Sequence, residues 1–451
     1  MKLGLIAMSA TRAHNKELTE LGFSLPGFVD RSRVIASLPS LGLLTLAGMT
    51  PAEIDMQYMD VPDLTKVSGL PGEFDVVAIS SFTAQMNEAY QLADRYRAVG
   101  TTVLLGGLHV TALPDEALQH ADAIVIGEGE PAWPALLDDL QQNRLQRIYD
   151  SRSRPFNMAD SPMPRFDLLN QDHYNRMMVQ TSRGCPFSCE FCAASIRLSP
   201  LYRVKPVHKV IAEVRRIKEL QPKPFIEFAD DNTFVNKHHG KELMQALQKE
   251  DVKWFTETDV SVAEDEDLLK LMRDAGCVQV LIGFESTTRA GLAGIELKSD
   301  WKAKRFDGYM SAVDKIQRHG ISVNGCFVLG MDNDGPECFE GVVEFVRDSN
   351  LYDVQITLLT AFPGAPLYDR LKSEGRLLDE TAWQLCTLFD VNFTPRHMSP
   401  QELESKFRWL VERIYNQEFT DERHRKFHER QAALLASRSH KEVYLHEHHH
   451  G

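Results

Sequence analysis

The sequence predicts an α/β protein: an N-terminal doubly wound (Rossmann-like) parallel sheet, then a partial (β/α)6 barrel, then a helical C-terminal extension. Three observations carry this expectation. Short apolar runs alternate with helical patterns through residues 1–145 and again from Arg176. Glycines or acids stand where those runs end, and beyond about residue 376 the strand signal is lost. At 451 residues the chain exceeds one usual core, and its 43% hydrophobic and 25% charged content is ordinary for a globular protein.

In the first unit, residues 1–145, the runs KLGLIAM, IDMQYMD, FDVVAIS, TTVLLGG and DAIVIGE read as buried strands. Ligands of such sheets bind beyond the strand C-termini. The ends that suit a large ligand are Ser80 to Thr83, Gly106 to His109 and Gly127 to Glu130, where glycines allow close backbone approach. Taken singly, each also reads as a tight βα turn. Residues 146–175 lack periodicity and are rich in Pro and polar residues, as a linker is.

The barrel unit, residues 176–375, begins with MMVQTSRG and continues through PFIEFADD, KWFTETDV, VQVLIGFES, ISVNGCFVLG and VQITLLTAF. Polar residues cluster at those strand ends, where barrel sites collect: Glu227, Asp230, Asp231, Glu257, Asp259, Glu285, and Asn324 with Cys326. Core strands without a ligand seldom carry so many acids, although acids at strand ends also serve as helix N-caps.

Directly after the first barrel strand stands TSRGCPFSCEFCAAS, which sets Cys185, Cys189 and Cys192 in a CxxxCxxC array with no fourth cysteine close by. Random placement of seven cysteines yields this array with a probability of roughly 0.002. Three thiolates hold three irons of a [4Fe–4S] cube and leave the fourth iron open. The alternatives are a structural zinc site, which wants four closed ligands, and buried core cysteines, which need no fixed spacing.

The array, with Phe191 before its last cysteine, is similar to the signature of the radical S-adenosylmethionine (SAM) superfamily. That resemblance implies a [4Fe–4S] cluster on Cys185, Cys189 and Cys192 and SAM on the open iron. It also implies Phe191 against the adenine, and an electron donor such as flavodoxin or ferredoxin. SAM carries an ammonium and a sulfonium, which carboxylates and amides match. FADDNTF resembles the segment that receives the SAM methionyl group, with Glu227, Asp230 and Asp231. IGFES resembles the ribose-contacting segment, with Glu285. Asn324 completes the candidate SAM set, and LLTAFPGAPLYDRL is similar to the sixth-strand turn near the adenine.

LLGGLHVTALPDEAL with DAIVIGEGE resembles the cobalamin-binding (B12-binding) domain that precedes the barrel in one class of these enzymes, which implies cobalamin against Ser81, Gly107, His109, Gly127 and Glu128. One departure stands out: the DxHxxG stretch that supplies a cobalt ligand is missing where MSATRAHNKEL stands. His14 and His109 read as polar loop residues rather than cobalt ligands. Arg203 is read either as a partner for a carboxylate or phosphate of the ligands or as a bridge between helix and loop.

In residues 376–451, SPQELESKFRWLVERIYNQEF shows Ser399, Pro400 and Glu402 at the positions of a capped amphipathic helix. The stretch resembles the C-terminal extension of B12-type radical SAM enzymes that act on hopanoids and other small molecules. Trp383, Phe389, Phe393, Phe407 and Trp409 are candidates either for an apolar substrate chamber or for a helical core. The tail gathers His440, His446, His448, His449 and His450, read as a disordered or appended tail or as a metal handler.

A net charge of −14 argues against a non-specific nucleic-acid surface. No apolar run is long enough to cross a bilayer, MKLGLIAMSATR reads as a buried strand, and seven cysteines suit a reducing compartment, so a cytoplasmic protein is expected. The functional expectation is a radical SAM enzyme that methylates an unactivated carbon of a small molecule or lipid with cobalamin. The alternative is cobalamin-independent formation of a C–C or C–heteroatom bond by an adenosyl or 3-amino-3-carboxypropyl radical.

Overall fold

The computed structural model describes residues 1–15, 17–18, 36–192 and 201–448, with backbone alone for 36–37 and 435–448. Two six-stranded, wholly parallel sheets follow one another. The first contains β1 (Lys2–Met8), β2 (Asp55–Asp60), β3 (Val76–Ser81), β4 (Thr102–Gly106), β5 (Ala123–Ile126) and β6 (Ile148–Asp150), in the order β2-β1-β3-β4-β5-β6. The chain reverses direction across the sheet between β1 and β3, which opens a crevice beyond their carboxyl ends. Helices cover the faces, so β1 buries Leu3, Leu5 and Ile6 completely, as parallel sheets do. The sixth strand falls inside the segment read as a linker: its three residues pair with β5 although they are too few to give a periodic signal.

The second sheet contains β7 (Met177–Val179), β8 (Phe225–Phe228), β9 (Lys253–Thr258), β10 (Cys277–Glu285), β11 (Ser322–Leu329) and β12 (Asp353–Leu358), in that order. Its two edge strands, β7 and β12, do not pair with each other, so the barrel is partial. All eleven runs read as strands are strands here. The helix Pro400–Ile414 carries the expected capping box between Ser399 and Glu402. The last helix runs over Gln417–His448, so the backbone of most of the histidine-bearing tail is helical. The side chains of His440, His446 and His448, and all of His449 and His450, lie outside the described residues.

The aromatic residues proposed for a substrate chamber pack elsewhere. Trp383, Phe389, Phe393 and Phe407 are buried in the core, and Trp409 is half-buried against it under Arg413. Trp383 packs against His109 of the first unit and near Tyr368, and these rings remove apolar area from water without any ligand.

Candidate active site

One cavity of about 990 Å³ lies between the carboxyl ends of the two sheets. The first sheet contributes Ser9 and Thr11 after β1, Ser80 to Thr83 after β3, Gly106 to Leu108 after β4 and Gly127 to Glu130 after β5. The second contributes Cys185, Cys189 and Cys192, then Asp231, Glu257, Asp259, Glu285 and Lys302. The aromatic rings of Phe82, Phe187, Trp301 and Phe362 also face it.

The cysteine loop is held by backbone on both sides. Glu190 N–H donates to Ile295 O (2.8 Å), Leu297 N–H to Ser188 O (3.0 Å) and Leu367 N–H to Glu190 O (3.0 Å). Glu296, which sequence reasoning missed, accepts from the Ser188 N–H (3.1 Å) and from the Ser299 N–H (2.7 Å) and hydroxyl. Burial opposes its charge, but these hydrogen bonds dominate and bring its carboxyl down to about 2. Only distant folding brings 296 beside 188, so no local signal marks it.

The donor chemistry fits an iron–sulfur cube. Cys185, Cys189 and Cys192 are near enough to feel one another's charge, whereas the charges felt by Cys326, also on the cavity wall, are those of Glu285, Glu257 and Lys302. Three close-spaced thiols with no fourth cysteine in the same segment suit a cube, whereas a structural zinc site wants four closed ligands. A cube accepts thiolates spread around its corners. Burial pushes the Cys185 thiol up to about 11 and Cys189 up to about 12, so metal loading releases protons.

The predicted SAM residues divide into two groups. Asp231 and Glu285 line the cavity with the cysteines, and so do Glu257 and Asp259. Phe191 lies where the main cavity meets a side cavity of about 320 Å³. Asp230 instead accepts hydrogen bonds from Thr181 N–H (2.7 Å), Ser182 N–H (2.9 Å) and Thr233 hydroxyl (2.9 Å), and so pins the strand that feeds the cysteine loop. Glu227 is buried in an ion pair with Arg176. Asn324 lies two residues before Cys326 on β11, fully buried off the cavity wall, its amide without a hydrogen-bond partner. Glu227 and Asn324 share a face with Ala229 and Cys326, which lie two positions on and line the cavity, but they sit one layer deeper in the barrel, whereas Asp230 turns back toward Thr181.

Glu285 ends β10 at a register shift with a left-handed φ of 63°. Lys302 Nζ donates to Glu285 Oε1 and to the Gly283 carbonyl, both at 2.8 Å. Burial disfavours the ammonium, but Glu285 and Cys189 outweigh it and raise Lys302 above the ordinary lysine range. A Cβ at Gly283 would stand 2.3 Å from Glu285 Oε1, so any larger residue there would displace the Glu285 carboxylate from its place beside Lys302. The depth of the site around Glu257, then the carboxylates of Glu227, Asp231 and Glu285, push its carboxyl up to about 8, although the side chain stays open to the cavity.

Of the predicted cobalamin contacts, Ser81, Gly107, Gly127 and Glu128 line the cavity. Gly107 and Gly127 have φ of 110° and 85°, and a Cβ on Gly127 would come within 2.9 Å of Ser151 Oγ. Phe82 is 47% exposed in this crevice, an apolar face of the kind a flat macrocycle covers. His109 faces away from the cavity: it is buried edge-on to Trp383 (5.0 Å between rings), with Nε2 at 3.2 Å from Glu116. Glu128 also takes part in an inter-sheet clamp, meeting Arg183 (3.0 Å) and Arg203 (3.1 Å), while Glu130 meets Arg183 (2.6 Å). Arg203 therefore bridges to protein groups.

A cluster-binding barrel facing a cobalamin crevice defines a class, the cobalamin-dependent radical SAM enzymes. Residues 179–346 match the radical SAM superfamily, residues 32–137 the B12 binding domain, and residues 365–448 a domain of unknown function, DUF4070. The chain is 28% identical to the bacteriochlorophyllide d C-12(1)-methyltransferase of Chlorobaculum tepidum, with 81% of each chain covered. It is 31% identical to an uncharacterized methyltransferase of Synechocystis sp., over 79% of this chain and 67% of the relative. The structure of the radical SAM methyltransferase TsrM from Kitasatospora setae superposes with a TM-score of 0.64 at 13% identity, covering 91% of this chain and 88% of that one. The protein belongs to the radical SAM superfamily, in the group that carries an N-terminal B12-binding domain. It is an enzyme of the cobalamin-dependent radical SAM methyltransferase family, and its cofactors are a [4Fe–4S] cluster, SAM and cobalamin. No helix among the described residues is long and apolar enough to cross a membrane.

Proposed function

We propose that this enzyme places a methyl group on an unactivated carbon of an apolar small molecule or lipid. The observation that carries the reading is the single cavity shared by the three thiols of one sheet and the glycine-bearing strand ends of the other. When bound, the cluster supplies the electron that fragments SAM, and cobalamin supplies the transferable methyl group.

Cys185, Cys189 and Cys192 would hold the cluster through three thiolates, with room in the cavity beside it for SAM. Asp231 and Asp259 offer negative charge to the ammonium and sulfonium. Lys302 is placed to meet a carboxylate, and Glu285 to accept from ribose hydroxyls. The side cavity opens at the cysteine loop and pairs an apolar wall of Phe191, Ile295, Met331 and Leu359 with the polar groups of Glu190, Asp332, Asn333 and Arg370, which suits a base that is apolar on its faces and polar at its edge. Beyond these groups, Val328, Leu358, Leu388 and Phe362 give the remaining volume an apolar wall that excludes water from a carbon radical.

Names among the relatives support a neutral or amphiphilic ring system as substrate: a bacteriochlorophyllide for one, a hopanoid for the C-2 methylase of Rhodopseudomonas palustris. The test is anaerobic incubation of reconstituted protein with SAM, a low-potential reductant and either compound class. S-adenosylhomocysteine and 5′-deoxyadenosine are expected together with a methylated product. 5′-Methylthioadenosine in their place, or no cobalamin spectrum, would remove this reading.

A further inference from the structure

Among the described residues, six that are not glycine adopt a left-handed backbone. Asn143, Asp251, Asp300 and Asn350 are of the types that tolerate it. The other two, Glu285 and Leu388, both line the cavity. Glu285 is accounted for by its register shift and by Lys302. Leu388, at φ 71°, has an aliphatic side chain that gains no hydrogen bond from this conformation, and such strain persists only where the surroundings over-determine it.

They do so here. Thr387 Oγ1 accepts from the Phe389 and Asp390 N–H groups, both at 3.1 Å, and donates to Asp390 (2.7 Å). Leu388 O accepts from the Leu358 N–H (2.7 Å) at the end of β12. Residues 383–392 form a strap with both ends tied. Trp383 Nε1 donates to Glu116 (3.1 Å), Asn87 to Gln384 (2.9 Å), and Asp390 accepts from the His14 N–H (2.9 Å), which fastens the strap to the first sheet's unit. Asn392 exchanges hydrogen bonds with Ala361 N–H and O, both at 3.1 Å, which fastens it to the barrel. Leu388 is thus carried on a bridge between the units and lines the cavity together with Val328 and Leu358 from the ends of β11 and β12.

We propose that Leu388 is the specificity-determining residue of the substrate chamber, a fixed apolar stop that sets how large a ligand is admitted. The proposal rests on the methyl-transfer reading for the identity of the ligand as substrate. A glycine would hold the same backbone without strain, so the leucine serves the chamber and not the turn.

The test uses the full chain loaded with cluster and cobalamin, as wild type, Leu388→Gly and Leu388→Phe, with the neutral fluorophore N-phenyl-1-naphthylamine as ligand. The glycine variant relieves the backbone but gives up the leucine's packing against the core, so its unfolding midpoint serves only to show that it folds. Its probe affinity should equal or exceed the wild type's, whereas phenylalanine narrows the chamber and weakens binding by roughly tenfold. A folded glycine variant that binds the probe more weakly overturns the proposal. So does a folded phenylalanine variant that binds the probe as the wild type does. S-adenosylhomocysteine formation, measured on the same samples, tests the methyl-transfer reading separately: its absence with the affinity order intact leaves the stop standing and removes the reaction.

Discussion

Lys302 Nζ stands 2.8 Å from Glu285 Oε1, and the pair is nearly closed to solvent beside Cys189. It joins an ordinary surface-type lysine from the short helix Trp301–Arg305 to the strained end of β10, and so fixes the wall opposite the cysteine loop. Lys302→Met strands a buried carboxylate among other acids and should lower stability by about 3 kcal/mol. Glu285→Gln with Lys302→Met should recover most of that loss, since both charges are then gone. Denaturant unfolding of the two single variants and the double variant checks this, and equal losses in all three would refute it.

The cysteine triad makes a sharp distinction between thiols on one cavity wall. Alanine at Cys185, Cys189 or Cys192 should reduce anaerobically loaded iron from about four per chain to well below one. Cys326→Ala should keep the full complement. Iron analysis and the visible spectrum decide it, and loss of iron in Cys326→Ala would reassign the fourth corner.

Glu257 links the site to pH. Its folded value, about 8, lies above the ordinary 4.5, so the folded chain binds more protons than the unfolded one between those values. The stability associated with the neutral acid is complete below about pH 4.5 and is lost as pH rises through 8. Glu257→Gln should therefore gain on the wild type as pH increases across that window. Thermal unfolding at several pH values reports it, and a constant difference would show that the carboxyl does not titrate there.

Arg183 between Glu128 and Glu130 is expected to couple the two sheets. Glu130→Ala leaves part of the buried guanidinium unpaired and should remove about 3 kcal/mol. Because the clamp spans the units, calorimetry should resolve one transition into two. A single cooperative transition with unchanged midpoint would argue against that role.

Glu296 anchors the cysteine loop through backbone N–H groups. Glu296→Ala should leave secondary structure intact and speed cluster loss to a chelator by roughly tenfold, the scale of outer-shell substitutions around metals. Equal bleaching rates would make the anchor dispensable.

Eleven of the twelve sheet strands and the cysteine array were legible in the sequence, and so were the glycine- and acid-bearing strand ends that line the cavity, whereas Ile148–Asp150 was too short to show. Strand periodicity, glycine at forced turns and close-spaced thiols are local properties, readable within a dozen residues. Tertiary structure alone decided which of the polar strand-end residues face the ligand. Asp230, Glu227, Asn324 and His109 carry polar groups like those of Asp231 and Glu285, yet depth in the barrel and packing leave them beside Thr181, beside Arg176, in the barrel interior and against Trp383. Lys302, Glu296 and Leu388 reach the site from distant segments, through contacts that exist only once the chain has closed on itself.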